Sequence, residues 1–398
     1  MSYKIYNNFR LYLLVYLIFV TISSILFLKD TYLLTTNNSI AEWLINYQGG
    51  FGRRGFLGEI FLEISSFTKI NLKQIIFYFL VIFILTYHYL LFLFLKNLKF
   101  NIFFIIAVLS PLFVIFPIAE MEALGRKDIL IPTLFLILSL LYQKLDINKL
   151  STVLLFSYTI LILTHEVSIF YLPFFYFFIF SKIKKFDLNN LLLILFISIY
   201  FLTLIYFLTQ SNFTEVNIEK MCNYLIDIHN TRCGLGAYVL NRSLEENIAE
   251  LGLINFFHVT RAIWIFFLGF IGLIIIVPNT IFNLDNSKIF FLNRINFFKI
   301  FLLLWTPTLI PFFIAVDWGR WFNLSYTMSF LFYFFCLRYE LIKFENKHSF
   351  KQIKILFKKK IFIIFFLFLF CFSWNPKAIY LDDLGSIPIY RIINKLFR

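Results

Sequence analysis

Runs of apolar residues long enough to cross a bilayer recur from one end of this chain to the other, more than a soluble fold can bury. They occupy residues 11–28, 75–95, 102–119, 129–142, 150–164, 167–180, 191–208, 263–277, 300–316, 322–337 and 361–372, and each is read as a spanning segment against the roughly 20 residues that a crossing helix needs. The shorter runs are expected to extend into their polar flanks. In hydrocarbon a backbone must satisfy its own amides, so the expected fold class is all-α: a polytopic transmembrane helix bundle of about 11 helices. Composition agrees, with 61% hydrophobic and 15% charged residues and a mean hydropathy of +0.83, a surface that no water-soluble domain hides. No repeat, linker or low-complexity stretch divides the 398 residues, which read as a single integral membrane domain over 1–398. The 58 phenylalanines are read as coding drift rather than as a binding device.

The net charge of +14 invites a nucleic-acid reading, but the basic residues stand in short clusters between apolar runs. There they set orientation and meet anionic headgroups, so the expected partner is the lipid bilayer, not nucleic acid. With the amino terminus in the cytoplasm, alternating sides place Lys96, Lys99, Lys144, Lys149, Lys182, Lys184, Lys185, Lys288, Arg294, Lys299 and the run 338–360 inside, as the positive-inside rule asks. The doubtful step is 150–180, which His165-Glu166 interrupts; a hairpin is preferred to one kinked helix because a single crossing would put the basic run outside. Of the twelve arginines, nine then fall outside, whereas seventeen of twenty-four lysines fall inside. The lysines orient the chain, and a guanidinium fork suits bidentate capture of phosphate or carboxylate.

The run 11–28 reads as a first spanning helix rather than a cleaved leader, since no small-residue cleavage site precedes Lys29. Residues 29–74 form the first outer loop. Its second half spaces Phe56, Leu57, Ile60, Phe61, Ile64, Phe67 and Ile70 helically, with Glu59, Glu63 and Lys69 on other faces, which predicts an interfacial helix. Residues 210–261 form a second large outer loop, read either as a lid or as a plain solvated loop. It holds Cys222 and Cys233, favoured as a disulfide over a metal pair with His229, because zinc wants a fourth ligand and tighter spacing. Cys336 and Cys371 lie in apolar runs and are read as inert.

Four polar groups share the outer side, and ionisable residues at such depth are costly unless paired or used. The first is 48–55, where three glycines precede Arg53 and Arg54 and a fourth follows them. Exposed amides and two cations before a helix start favour anions; the alternative is a turn whose arginines meet lipid headgroups. No P-loop spacing is present. The second joins Glu120 and Glu122 to Arg126, Lys127 and Asp128, at spacings that allow helical ion pairs such as Glu122 with Arg126, or a substrate role for Arg126 and Lys127 beside Glu120. The third, His165-Glu166, offers a general base, or else Glu166 pairs with an arginine to hold the hairpin tip. The fourth is Asp317-Trp318-Gly319-Arg320-Trp321: Asp317 can cap the following helix, and Trp318 and Trp321 fit an interfacial belt or stack on sugar rings. Arg320 is left over by the structural reading, which favours a substrate role for it. Candidate catalytic residues are thus Glu166, Asp317, His165 and Glu120, and candidate substrate-binding residues Arg53, Arg54, Arg126, Lys127, Arg320, Trp318 and Trp321. No cofactor is expected; a divalent metal is the weaker alternative, since no dense His and carboxylate set occurs.

With outer arginines at Arg53, Arg54, Arg126 and Arg320, outer acids at Glu42, Glu120, Glu166 and Asp317, an interfacial helix and a large late outer loop, the chain resembles bacterial polytopic proteins of surface-polysaccharide assembly. These are the O-antigen or capsule repeat-unit polymerases and the GT-C-type lipid-sugar glycosyltransferases, with the polymerases slightly the nearer. The resemblance implies a bacterial inner-membrane enzyme that moves a glycan from a polyprenyl diphosphate to an acceptor hydroxyl at the outer face, in company with other polysaccharide-assembly proteins. The opposing reading is a transporter or flippase of lipid-linked sugars, which calls for broken helices and internal symmetry.

Overall fold

The computed structural model describes residues 3–33, 38–183, 187–209, 213–238, 240–283, 296–345, 360–377 and 387–397. Lys184, Lys185, Lys288, Arg294, Gln210 and most of the basic run 338–360 lie outside the described residues. What is described is all-α except for one antiparallel ribbon that pairs Thr280–Phe282 with Ile342–Phe344 in the register Ile281 to Lys343. Among the described residues five helices are long and apolar enough to cross a membrane: Phe9–Asp30, Leu72–Leu95, Ile147–Thr164, Leu188–Thr209 and Phe256–Ile276. Their 18 to 24 residues reach about 27 to 36 Å at 1.5 Å per residue. Shorter apolar helices occupy Glu166–Phe180, Phe297–Phe313 and Ile363–Phe372.

Two expected spans are broken for reasons written in their sequences. The run 102–119 is helical only over Ile102–Val108 and Phe116–Ala119. Pro111 has no amide hydrogen to continue a helix, and Ser110 holds the turn instead: its hydroxyl donates to the Gly269 carbonyl at 2.6 Å and accepts from the Leu112 amide at 3.2 Å. The run 300–316 begins as the helix Phe297–Trp305 and tightens into a 3-10 helix, Thr306–Phe313, around Pro307 and Pro311.

The chain divides into two compact units. One comprises Met1–Ser23, Leu91–Met121 and Ile248–Arg398, the other Ser24–Leu90 and Glu122–Asn247. In the first, the helix Trp318–Arg338 is buried along nearly its whole length. Its Tyr326 hydroxyl donates to the Ala107 carbonyl at 2.6 Å, and Asn323 donates to the Leu112 carbonyl at 2.8 Å. The helix Phe256–Ile276 approaches Ile102–Val108 at Gly272, where an added Cβ would stand 2.7 Å from the Ala107 backbone. Small residues let membrane helices approach this closely. Cys336 and Cys371 are free and buried in this unit.

In the second unit the chain reverses at His165. The helix Ile147–Thr164 ends there, a 3-10 turn spans Glu166–Tyr171, and Leu172–Phe180 returns. The Tyr158 hydroxyl donates to the Ser168 carbonyl at 2.6 Å, and its ring lies 4.8 Å from that of Phe175. Along a straight helix those last two residues would be about 25 Å apart, so the segment is a hairpin. The helix Phe56–Thr68 buries Gly58, Phe61, Leu62 and Ser65 against protein, while Ile60, Ile64 and Phe67 remain exposed on an apolar side suited to the bilayer interface. The buried face is therefore not the full stripe read from the sequence; Gly58 and Ser65 join it because Gly58 sits on the Ile45 carbonyl.

Candidate functional site

The glycine-rich loop 48–55 is held open by the helix that follows it. Glu59, in the first turn of Phe56–Thr68, accepts from the Tyr47 amide at 2.8 Å and from the Gln48 side chain at 2.7 Å. A carboxylate at a helix start is favoured by the helix dipole, and here it also fixes the loop's entry. On the other side Asn217 donates to the Gly49 carbonyl at 2.6 Å, an approach so close that an added Cβ at Gly49 would lie 2.0 Å from the Asn217 carbonyl oxygen. Asn217 belongs to the helix Glu215–His229, which the Cys222–Cys233 disulfide ties to the segment after it. Its Ile218, Met221, Cys222 and Leu225 are buried, the first three in one cluster with Ile45 and Leu240. This part of the segment 210–261 is a packed brace for the loop 48–55, not a solvated tether.

The loop turns at Arg54, whose φ of 69° is left-handed, a conformation that costs a branched or long side chain about 1 to 2 kcal/mol. Two contacts over-determine it. Its guanidinium grips Glu166, with Nε 2.8 and 2.7 Å from the two carboxylate oxygens and a terminal nitrogen at 2.6 Å. Its carbonyl accepts a hydrogen bond of 2.8 Å from Lys127 Nζ. Arg53 stands 4.0 Å from the same carboxylate and donates to the Leu240 carbonyl at 3.4 Å.

Residues 121–125 are a turn rather than the helix that the spacings of the second group suggested, because Gly125 takes a φ of +80°. Arg126 consequently reaches Glu42, at 2.9 Å, while its Nε donates to the backbone carbonyl of Glu122 at 2.7 Å. Lys127 is wholly buried, its ammonium 5.7 Å from the Trp43 ring centroid. Burial pushes this amine down to about 7; Arg54 adds to the depression, while Glu42 and Glu166 oppose it. Burial likewise lowers Arg53, with Arg54 adding to it and Glu166 opposing. Asp128 accepts from His165 Nε2 at 2.7 Å.

Three of the four sequence groups therefore meet in one unit. Arg53 and Glu166 form the more open rim, with side chains 32% and 24% exposed, and Lys127 and His165 form a fully buried floor. Positive charge lies along the rim and beneath it, next to backbone that glycine keeps uncluttered, and this suits anionic oxygen ligands. Glu166 is engaged by an arginine fork, so its oxygens are not open to a substrate proton. Glu42, Asp128 and Trp43 complete the cluster; the first two stand among the acids that the sequence singles out, whereas no sequence signal marks Trp43.

The fourth group and Glu120 belong to the other unit. Asp317 occupies the N-cap position of Trp318–Arg338, yet its side chain makes no capping bond: it pairs with Arg320 at 2.8 Å instead. The Arg320 guanidinium lies 4.7 Å from the Trp321 ring centroid, and Trp318 Nε1 donates to the Phe312 carbonyl at 3.0 Å. Glu120 pairs with Lys377 at 3.5 Å. Among the described residues no group of three or more His, Cys, Asp or Glu is placed to hold a metal ion. Comparison with known proteins finds no matching family model, no matching curated protein and no matching solved structure.

Proposed function

We propose that this chain transfers or polymerises glycans carried on a polyprenyl diphosphate, as a glycosyltransferase or an O-antigen or capsule repeat-unit polymerase of a bacterial inner membrane. In this reading the amino terminus is cytoplasmic, the chain crosses about eleven times, and the site faces the oxidising outer side. One observation carries it: Arg53 and Arg54 converge on the Glu166 carboxylate, with Lys127 bonded to the Arg54 carbonyl beside them, next to a glycine-rich loop and a helix with an exposed apolar side. A guanidinium fork that fits a carboxylate also fits two oxygens of a phosphate, so an incoming diphosphate can replace Glu166 on Arg54. The cations then stabilise the leaving diphosphate while its lipid stays in the bilayer. The Cys222–Cys233 disulfide supports an oxidising compartment for this side of the chain.

Transport of lipid-linked sugars is the second reading. It is favoured by the interrupted segments at Ser110-Pro111 and Thr306–Phe313, since discontinuous helices mark many transporter sites. Deleting the gene in its host and analysing surface glycan and lipid-linked intermediates separates the two. Single capped repeat units support a polymerase, and loss of one sugar addition supports a transferase. Intermediates trapped on the inner leaflet support a transporter, and unchanged glycan removes all three.

A further inference from the structure

The hairpin tip carries a polar pair that the cationic rim does not use. His165 is fully buried, and its Nε2 lies 2.7 Å from Asp128 Oδ1. Its other ring nitrogen, Nδ1, is buried too and has no hydrogen-bond partner among the described residues. An ionised carboxylate only accepts, so the nitrogen that faces Asp128 carries the hydrogen and Nδ1 presents a lone pair. Buried polar atoms are nearly always partnered, and an exception calls for a reason. The charged groups around the ring are Asp128 and Lys127 from the turn Lys127–Ile129, Glu166 from its own turn, and Arg54, reached through Glu166.

We infer that Asp128 and His165 form a proton-transfer dyad in which Asp128 positions the imidazole and His165 Nδ1 accepts the proton of the acceptor hydroxyl. This rests on the lipid-diphosphate reading above. Two features of the site select His165 over its neighbour. Against the opposing effect of burial, Arg54 and Arg53 hold the Glu166 carboxyl well below the usual carboxylate range, which makes it a poor proton acceptor. The Nδ1 lone pair has no such competitor, and a carboxylate behind an imidazole both fixes the tautomer and stabilises the imidazolium that forms.

The step balances. The acceptor hydroxyl gives its proton to Nδ1, and the electron pair released on its oxygen forms the new bond to the anomeric carbon. The bond from that carbon to the diphosphate oxygen breaks with its pair left on the diphosphate, where Arg53, Arg54 and Lys127 meet the charge. The proton then leaves Nδ1 for solvent. His165 is the catalytic residue and Asp128 a positioning residue.

The test uses the full chain in lipid nanodiscs, with undecaprenyl diphosphate as the binding probe, ¹⁵N-histidine NMR for the tautomer, and surface-glycan formation in a deletion host for turnover. The wild type should bind the probe and show hydrogen on Nε2 of His165. His165→Asn should keep probe binding within about twofold and lose at least about 100-fold in glycan formation, the scale of a lost general base. Asp128→Asn should move the hydrogen to Nδ1 and lose about 100-fold or more, and Asp128→Glu should restore part of it, which a purely structural role would not do. Glycan formation within about threefold of wild type in His165→Asn, or hydrogen on Nδ1 in the wild type, overturns the dyad while leaving the diphosphate site standing. If His165→Asn fails to fold, the wild-type tautomer and the Asp128→Glu rescue still decide. A wild type that binds no undecaprenyl diphosphate, in a host whose glycan is unchanged by the deletion, overturns the lipid-diphosphate reading and the dyad's role with it.

Discussion

Arg54 and Glu166, 112 residues apart in sequence, are joined by a fork in which one arginine nitrogen lies 2.8 and 2.7 Å from the two carboxylate oxygens. This contact fastens the glycine-rich loop to the tip of the His165 hairpin. It also places on Arg54 a carboxylate that an anionic ligand must displace. Arg54→Ala and Glu166→Gln should each lower stability by about 2 kcal/mol, the range for a hydrogen bond to a charged group. The double variant should cost less than the sum of the two. Equilibrium unfolding of the purified protein in detergent measures all three, and strict additivity would mean that the pair carries no coupling.

Lys127 gives the site a pH dependence whose sign follows from its environment. Its folded-state value of about 7 lies below the ordinary 10.5. Between those values the unfolded chain binds the proton and the folded chain does not, so the contribution of Lys127 to stability rises with pH across that window. Below it the buried ammonium is charged and available to an anion. Undecaprenyl diphosphate should therefore bind more weakly as pH rises through about 7, by up to about tenfold for one lost charge contact. In Lys127→Met the affinity should be lower and that dependence flat. Titration of probe binding between acid and mild alkali checks both.

Gly58 separates a backbone requirement from a side-chain one. An added Cβ there would lie 1.8 Å from the Ile45 carbonyl oxygen, whereas at Gly252 it would meet nothing within 4 Å. Gly58→Ala should cost about 2 kcal/mol or more, because helix and loop must move apart, and Gly252→Ala should stay within about 0.5 kcal/mol of wild type. Thermal unfolding of the two variants side by side is the measurement.

The Cys222–Cys233 disulfide closes a short loop with a sequence separation of 11, for which chain entropy suggests a contribution of about 2 to 3 kcal/mol. Because the tied helix also holds Gly49 through Asn217, reduction should do more than lower the melting temperature. Binding of undecaprenyl diphosphate should weaken with it, whereas Cys371→Ser, in the other unit, should leave binding unchanged. Measuring binding before and after treatment with a membrane-impermeant reductant tests the coupling.

Much of the helical architecture was legible because hydrocarbon imposes length and apolarity on a segment by itself. What escaped was where a run breaks. Pro111 was visible, but the bond from Ser110 to Gly269 that stabilises the turn joins residues 159 apart. The helix Trp318–Arg338 shows the converse: Arg320, Asn323, Ser325, Thr327 and Ser329 dilute its hydropathy, yet packing buries nearly all of it. At the site, the residue types Arg53, Arg54, Lys127, His165 and Glu166 stood out because charge at that depth is costly. One pairing was legible as an alternative, Glu166 on an arginine at the hairpin tip; the others were not, since Glu42 and Asp128 meet Arg126 and His165 only through tertiary structure. The helix expected to set Glu122 beside Arg126 gave way to a turn at one positive-φ glycine, Gly125.

The reversal at His165 also constrains how the chain is made. The returning arm adds a 9-residue α-helix, Leu172–Phe180, to the 6-residue 3-10 turn Glu166–Tyr171, which together fall short of the roughly 20 residues of an independently inserting segment. In the proposed topology it enters together with the 18-residue arm Ile147–Thr164, so that two apolar arms carry one polar tip through the lipid as a single cargo. In that topology His165 and Glu166 arrive on the outer side already held between both arms. The order of biogenesis, first loop before hairpin, then leaves Arg54 waiting as the dock on which that cargo comes to rest.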